Sequence, residues 1–241
     1  TGNDVKLSVK ESNLITWLDY DNFADYAQCP LTPDRVAPNP WEISAGSTRG
    51  AIVKNIVPEG PFGSGAISAT TARTGNVLSV PMPSDFPTNG AVFQFWVNAR
   101  SGTAQEIFGL GSSMNSFRLA YRVNLDGAGK LVIAGAVNNS TSYTTLLTAD
   151  NQADGWYFVT LRLGVPVGTN VPVETWVNGV KSTTTLQMPT SAGLQYRLNY
   201  SGVVSTATAV TTMLGNLYAV SGTELPAPVD KPATASPWPA L

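Results

Sequence analysis

Histidine is absent from this 241-residue chain. Ser-His-Asp and Cys-His catalysis are thereby excluded, as are zinc sites built on imidazole. A charge switch near neutral pH also loses its usual side chain. Cys29 is the only cysteine, so no disulfide forms within the chain. That argues against a secreted eukaryotic ectodomain and suits a bacterial or viral protein. Charge is scarce: 12% of residues are charged, with 14 Lys and Arg against 16 Asp and Glu. No basic stripe forms among the 14 cations, so the electrostatic footprint of nucleic-acid binding is missing. No apolar run approaches the roughly 20 residues of a membrane-spanning helix. The first residues, Thr1-Gly2-Asn3-Asp4, are polar and carry no secretory-signal pattern. Helix-period stretches and fixed-period repeats are missing as well.

What is present is strand material. Hydrophobic residues make up 43% of the chain, and Thr, Ser, Asn and Gly fill the polar positions that charges leave. Of these, Thr and Ser solvate strand faces and suit the pleated backbone. A chain of this length buries a substantial core without staples. Asn13 to Leu18 predicts one short strand, followed by the acidic, turn-rich Asp19, Asp21 and Asp25. Pro30, Pro33, Pro38 and Pro40 then break regular structure, so residues 1–50 read as an arm or long loop.

From residue 51 to 225 the pattern predicts one β-sandwich. Ala66–Ala69, Asn76–Val80, Ala91–Asn98 and Glu106–Leu110 read as strands. Phe117 to Asn124 alternates cleanly, placing Phe117, Leu119, Tyr121 and Val123 on one face. Asp126-Gly127-Ala128-Gly129 turns the chain into Lys130–Ala134, and Tyr143–Thr148 and Trp156–Leu163 follow. Asn178-Gly179 joins Val173–Val177 to Val180–Leu186 with the positive φ that a type I′ hairpin needs. Met213–Val220 closes the set. Residues 226–241 hold Pro226, Pro228, Pro232, Pro237 and Pro239 and read as a tail that lies on something or stays mobile.

Several segments occur in a telling order. Gly63-Ser64-Gly65-Ala66 precedes Gly75 to Pro81; then come Phe93-Gln94-Phe95-Trp96-Val97 and Asp154-Gly155-Trp156-Tyr157-Phe158-Val159. Thr175-Trp176-Val177-Asn178-Gly179-Val180 and Leu214 to Val220 with Glu224-Leu225 complete the series. In this order they resemble the laminin-G-like branch of the concanavalin A-like lectin/glucanase superfamily. The resemblance covers about two thirds of the chain and implies an all-β, antiparallel two-sheet jelly roll. Tyr157 stands where that family often has His, and Asn178 where it has Asp.

Glucanases of that superfamily carry an E-x-D-x-x-E strand, because glycoside hydrolysis needs paired carboxylates. No predicted strand carries such a pair; Glu106 and Glu174 stand alone. The expectation is therefore a chain that is not an enzyme, with a glucanase-like hydrolase the weakest alternative. The resemblance also raises one structural Ca²⁺, for which Asp126, Asp150 and Asp154 are candidates; Asp also favours turns for local backbone bonding. For glycans, Asn138, Asn139 and Tyr143 share one loop, and Tyr196, Asn199 and Tyr200 another. Aromatic faces stack on sugars, while Trp96, Trp156 and Trp176 are expected in the core. Asn139-Ser140-Thr141 and Asn199-Tyr200-Ser201 match the N-glycosylation pattern.

An arm and a proline-rich tail have little core to offset lost entropy, so they order best against neighbouring chains. The functional expectation is accordingly a structural and adhesive module of a large multi-copy assembly. A bacteriophage virion is the leading case, as capsid decoration or tail fibre, with a lectin-like sandwich outward and virion subunits contacted through arm and tail. Cell-surface glycans are the expected further partners, without nucleic acid or membrane insertion. The alternative is a secreted bacterial carbohydrate-binding module.

Overall fold

The computed structural model describes residues 16–21, 29–30, 50–53, 66–69, 78–99, 102–113, 116–200, 212–229 and 231. These form strands and turns only. In chain order the strands are β1 (Thr16–Asp21), β2 (Cys29–Pro30), β3 (Gly50–Val53), β4 (Ala66–Ala69), β5 (Leu78–Pro81), β6 (Ala91–Ala99), β7 (Gln105–Ser113) and β8 (Ser116–Leu125). They continue as β9 (Leu131–Val137), β10 (Thr144–Ala149), β11 (Trp156–Leu163), β12 (Asn170–Val177), β13 (Val180–Lys181), β14 (Leu186–Pro189), β15 (Arg197–Tyr200) and β16 (Thr212–Ser221).

Two antiparallel sheets result, and the molecule is a jelly-roll sandwich. The ten-stranded sheet runs β13-β12-β11-β6-β16-β4-β3-β2, with β1 also on β16 and β14 also on β12. The six-stranded sheet runs β10-β9-β8-β7-β15-β5. Period-two alternation sends one side chain in two to the interior. On β6 the inward set is Phe93, Phe95 and Val97; on β11 it is Tyr157, Val159, Leu161 and Leu163. From the facing sheet Phe108 meets Phe93 edge-on at 5.1 Å and stacks on Phe95 at 5.8 Å. Such pairs add about 0.5–1.5 kcal/mol each beyond the area they bury.

Three expectations need correction. Phe117 does not join Leu119, Tyr121 and Val123 in the core; it packs with Ala120 and Ala136, on the opposite face of β8. The cause is a bulge: Leu110 pairs Leu119 but Gly111 pairs Phe117, so β8 carries one extra residue there and the alternation resets. Val180–Leu186 is not one strand. The chain leaves the ladder after Ser182, whose N–H still bonds the Thr175 carbonyl at 2.8 Å and whose hydroxyl bonds the Leu146 carbonyl at 2.7 Å and accepts the Thr184 N–H at 3.0 Å. The chain then returns as β14 along the other half of β12. Finally, the described parts of residues 1–50 are strands of the ten-stranded sheet: β1 runs through Asp21 and pairs β16, and β2 pairs β3. The other residues before Gly50 lie outside the described set, as does most of the tail.

The two expected hairpin turns are present. Asn178 and Gly179 take φ of 50° and 80°, and Gly129 takes 77° at the β8–β9 turn.

Candidate functional site: the outward face of the six-stranded sheet

Side chains that alternate away from the core of β15, β7, β8 and β9 meet on one face. Its centre is a row of small residues: Ser79 pairs Asn199, Asn199 pairs Gly109, Gly109 pairs Ala120, and Ala120 pairs Ala136. A floor this low lets long neighbours lie across it. Phe117 and Tyr143 pack over Ala120 and Ala136, and the Arg197 Nε donates to Ser79 Oγ at 2.8 Å.

Around the floor stand three guanidinium groups, a carboxylate and a phenol. Tyr143 donates its hydroxyl proton to Glu106 Oε1 at 2.5 Å. The Arg122 guanidinium sits 4.2 Å above the centre of the Tyr143 ring, a cation–π contact. Arg118 bonds Asn138 Oδ1 at 2.6 Å at the rim. Burial raises the Tyr143 phenol above its ordinary range, and the Glu106 hydrogen bond and charge raise it further, against a smaller pull from Arg122. The phenol thus keeps its proton at neutral pH.

The structure separates the six residues expected to touch glycans. Tyr143 and Asn199 belong to this face. Asn199 is 1% exposed, and neither atom of its amide has a hydrogen-bond partner among the described residues. An acceptor asparagine must be accessible, so it is no glycosylation site in the folded chain. Asn138 and Asn139 build the turn after β9, at φ of 52° and 58°, and their N–H groups bond the Arg118 and Phe117 carbonyls. Tyr196 is a core residue, its ring edge-on to Phe86 at 5.1 Å, and presents no face to a sugar. The side chain of Tyr200 lies outside the described residues.

The three aspartates raised for calcium do not converge. Asp126 Oδ1 accepts the Ala128 and Lys130 N–H groups at 2.9 and 2.8 Å. Asp150 pairs with the Lys130 ammonium at 2.6 Å. Asp154 accepts the Trp156 N–H and pairs with Lys231. Calcium needs six to eight oxygens, and among the described residues no three acidic or thiol groups gather. These residues do not fit the ion.

Sequence reasoning missed Glu106, Arg118, Arg122 and Phe117. Glu106 has no second carboxylate on its strand; its partner is the Tyr143 phenol. The tryptophan expectation is corrected in part. Trp96 and Trp176 are half-buried on the outward face of the ten-stranded sheet, and Trp156 is buried on that same alternation.

No family model matches the sequence, and no curated protein matches it either. Solved structures do match the fold. A carbohydrate esterase of the Shiga toxin-encoding bacteriophage phi24B is similar at TM-score 0.54 and 12% identity, over 87% of this chain and 100% of that one. An engineered GH43 glycoside hydrolase with endo-xylanase and exo-arabinofuranosidase activity is similar at 0.52 and 12%; 88% of this chain spans 41% of it. An alginate lyase in complex with an alginate trisaccharide is similar at 0.51 and 12%, over 86% of this chain and 98% of that one. At this identity the likenesses establish the sandwich alone. They nevertheless overturn the expectation that the chain is not an enzyme, because the matched sandwiches belong to carbohydrate-active enzymes.

Proposed function

We propose that this chain is a carbohydrate-active module that holds an acidic polysaccharide on the outward face of its six-stranded sheet. The observation that carries the reading is the placement of guanidinium groups. Four arginines occur among the described residues, and Arg118, Arg122 and Arg197 belong to strands of this one sheet. The fourth, Arg162, lies on the other sheet, held by Glu174. Guanidinium forks match carboxylates in a two-bond geometry that lysine does not reproduce. Phe117 and Tyr143, packed on Ala120 and Ala136, form the apolar layer that carries the arginines.

The Tyr143–Glu106 couple adds chemistry to binding. Glu106 takes the proton from the carbon that bears the uronate carboxylate, and that electron pair forms a C=C bond as the glycosidic C–O bond breaks. The phenol hands its proton to the leaving oxygen, and the protonated carboxyl then returns a proton to the phenolate. Arg122 beside them stabilises negative charge that develops on a uronate carboxylate. These groups suit elimination along an acidic chain better than hydrolysis, which asks for two carboxylates.

The setting we favour is a bacteriophage particle, displayed toward bacterial surface polysaccharide. The charge-poor, Thr/Ser/Asn/Gly-rich composition suits it, as does the likeness in fold to the phage esterase. Isothermal titration with a polyuronate and a neutral glucan tests the reading, with viscometry of the same mixtures. Binding of the polyuronate alone, weakened by salt, and a fall in its viscosity are expected. Equal affinity for the neutral glucan, or no binding of either, would sink it.

A further inference from the structure

We infer that the outward face of the ten-stranded sheet is a recognition groove for a proline-rich, lysine-bearing peptide, filled by the chain's own residues 226–229 and Lys231 and open to exchange with a second copy. The segment reads Leu225-Pro226-Ala227-Pro228-Val229-Asp230-Lys231. Each proline fixes its own φ near −65°, and Leu225 and Ala227, standing before prolines, are pushed to extended or polyproline backbone. Such a strap makes no internal hydrogen bonds and repeats every three residues. The carbonyls of Pro226 and Val229, three apart, therefore face the same way.

The sheet addresses that pair. Gln94 Nε2 donates to the Pro226 carbonyl at 3.3 Å, and Trp96 Nε1 donates to the Val229 carbonyl at 3.1 Å. Gln94 and Trp96 are alternate residues of β6, about 7 Å apart along the strand, and the two carbonyls are about 9 Å apart in a polyproline turn. Long side chains span the difference. Phe158 extends the aromatic wall, its ring 5.1 Å from Trp96. At the end of the strap the Lys231 ammonium pairs with Asp154 and lies 5.5 Å from the Trp96 ring centre. Asp154 is itself fixed, since its carbonyl accepts Asn98 Nδ2 at 3.1 Å and its Oδ1 accepts the Trp156 N–H. An aromatic wall, side-chain donors aimed at carbonyls and an acid for one cation are what reading a polyproline peptide requires.

None of these contacts depends on the strap belonging to the same copy. Only residues 222–225 link β16 to it, with Gly222 at φ 102° and Leu225 47% exposed. Short linkers of this kind favour exchange of an end segment between protomers. The partner is thus the same strap on a second copy, bound by the same atoms.

Charge reversal tests this in the full chain. Asp154→Lys spoils the groove and keeps the strap; Lys231→Glu does the opposite. Each variant alone has no matched ion pair, but a mixed dimer matches both by exchange. An equimolar mixture is expected to shift to dimer mass in light scattering, with the separate variants monomeric. A mixture that only sums the two variants overturns exchange. A synthetic peptide of residues 225–231, titrated by tryptophan fluorescence, tests the groove itself. It is expected to bind the Lys231→Glu chain at least tenfold more tightly than the Asp154→Lys chain. Equal binding, or none to either, overturns the groove.

Discussion

The Tyr121 hydroxyl and Thr175 Oγ1 lie 2.8 Å apart in the middle of the sandwich, one from each sheet. Both residues are fully buried. Burial raises the Tyr121 phenol well above its ordinary range, against a smaller lowering by Thr175, so the bond joins two neutral hydroxyls. With the buried Ser182 hydroxyl on the Leu146 carbonyl, it fixes how one sheet sits over the other amid nondirectional apolar contacts. Tyr121→Phe leaves Thr175 without its partner and is expected to cost about 1–2 kcal/mol. Thr175→Val in the same background should recover part of that loss, since both unmatched groups are then gone. Urea unfolding of the two single variants and the double measures it; additive losses would show that the bond contributes nothing.

The sandwich was legible in sequence because its strands carry period two and its turns carry chemistry. Asn178-Gly179 could hardly be anything but a turn. The candidate face was less legible, for two physical reasons. The bulge at Phe117 and Arg118 is a property of how β8 pairs with β7, and nothing in the alternating string marks it. Tyr143 and Glu106 are 37 residues apart and meet only because β8, β9 and β10 are adjacent. Loop-like sequence marks Tyr143 and Tyr196 alike, yet Tyr143 lies on the outward face and the aromatic bulk of Tyr196 belongs to the core. The strap was visible as prolines, while the groove that receives it was hidden in Gln94, Trp96 and Asp154.

The bulge itself is open to test at Gly111. A Cβ there would stand 2.3 Å from the Ser116 carbonyl oxygen and 2.6 Å from the Phe117 Cα, both backbone atoms. Backbone does not yield as a side-chain end does, so Gly111→Ala must separate β7 from β8 at this point. A loss of about 1–3 kcal/mol is expected, together with weakened polyuronate binding as Phe117 and Arg118 shift. Gly127→Ala, with open space around the added atom, serves as the control and should leave both unchanged. Thermal melts and titration calorimetry read the two effects. A Gly111→Ala chain as stable as the control would rule out the close strand approach.

Acid should loosen the strap, late. Burial raises Asp154 somewhat, but the Lys231 hydrogen bond, the Trp156 N–H and the Lys231 charge outweigh it, so the carboxyl titrates below its ordinary value. A folded-state value lower than the unfolded one means the contribution is fully present above the unfolded value, about pH 4. It is lost as pH falls through the lower folded value. The pair is partly exposed, so the contribution is about 1 kcal/mol or less. Trp96 fluorescence should stay flat from neutrality to about pH 4 and change only below it. In Asp154→Asn the acid change should vanish, the strap being loosened at every pH. A transition centred above the ordinary carboxylate range would contradict this assignment.

Binding and chemistry on the six-stranded face separate at two residues. Arg122→Lys keeps a charge above Tyr143 but loses the planar fork, so polyuronate affinity should fall about tenfold, or ~1.4 kcal/mol. Tyr143→Phe keeps the ring on Ala120 and Ala136 and under Arg122, and removes only the hydroxyl that serves Glu106. Affinity should therefore hold within about threefold, a difference of ~0.7 kcal/mol. Loss of viscosity in the polyuronate should stop, because the hydroxyl that hands the proton to the leaving oxygen is gone. Glu106→Gln should stop it too, by leaving the phenol no carboxylate to exchange with. A Tyr143→Phe chain that still depolymerises at the parent rate would remove the couple from the reaction, while leaving the arginine face as the binding surface.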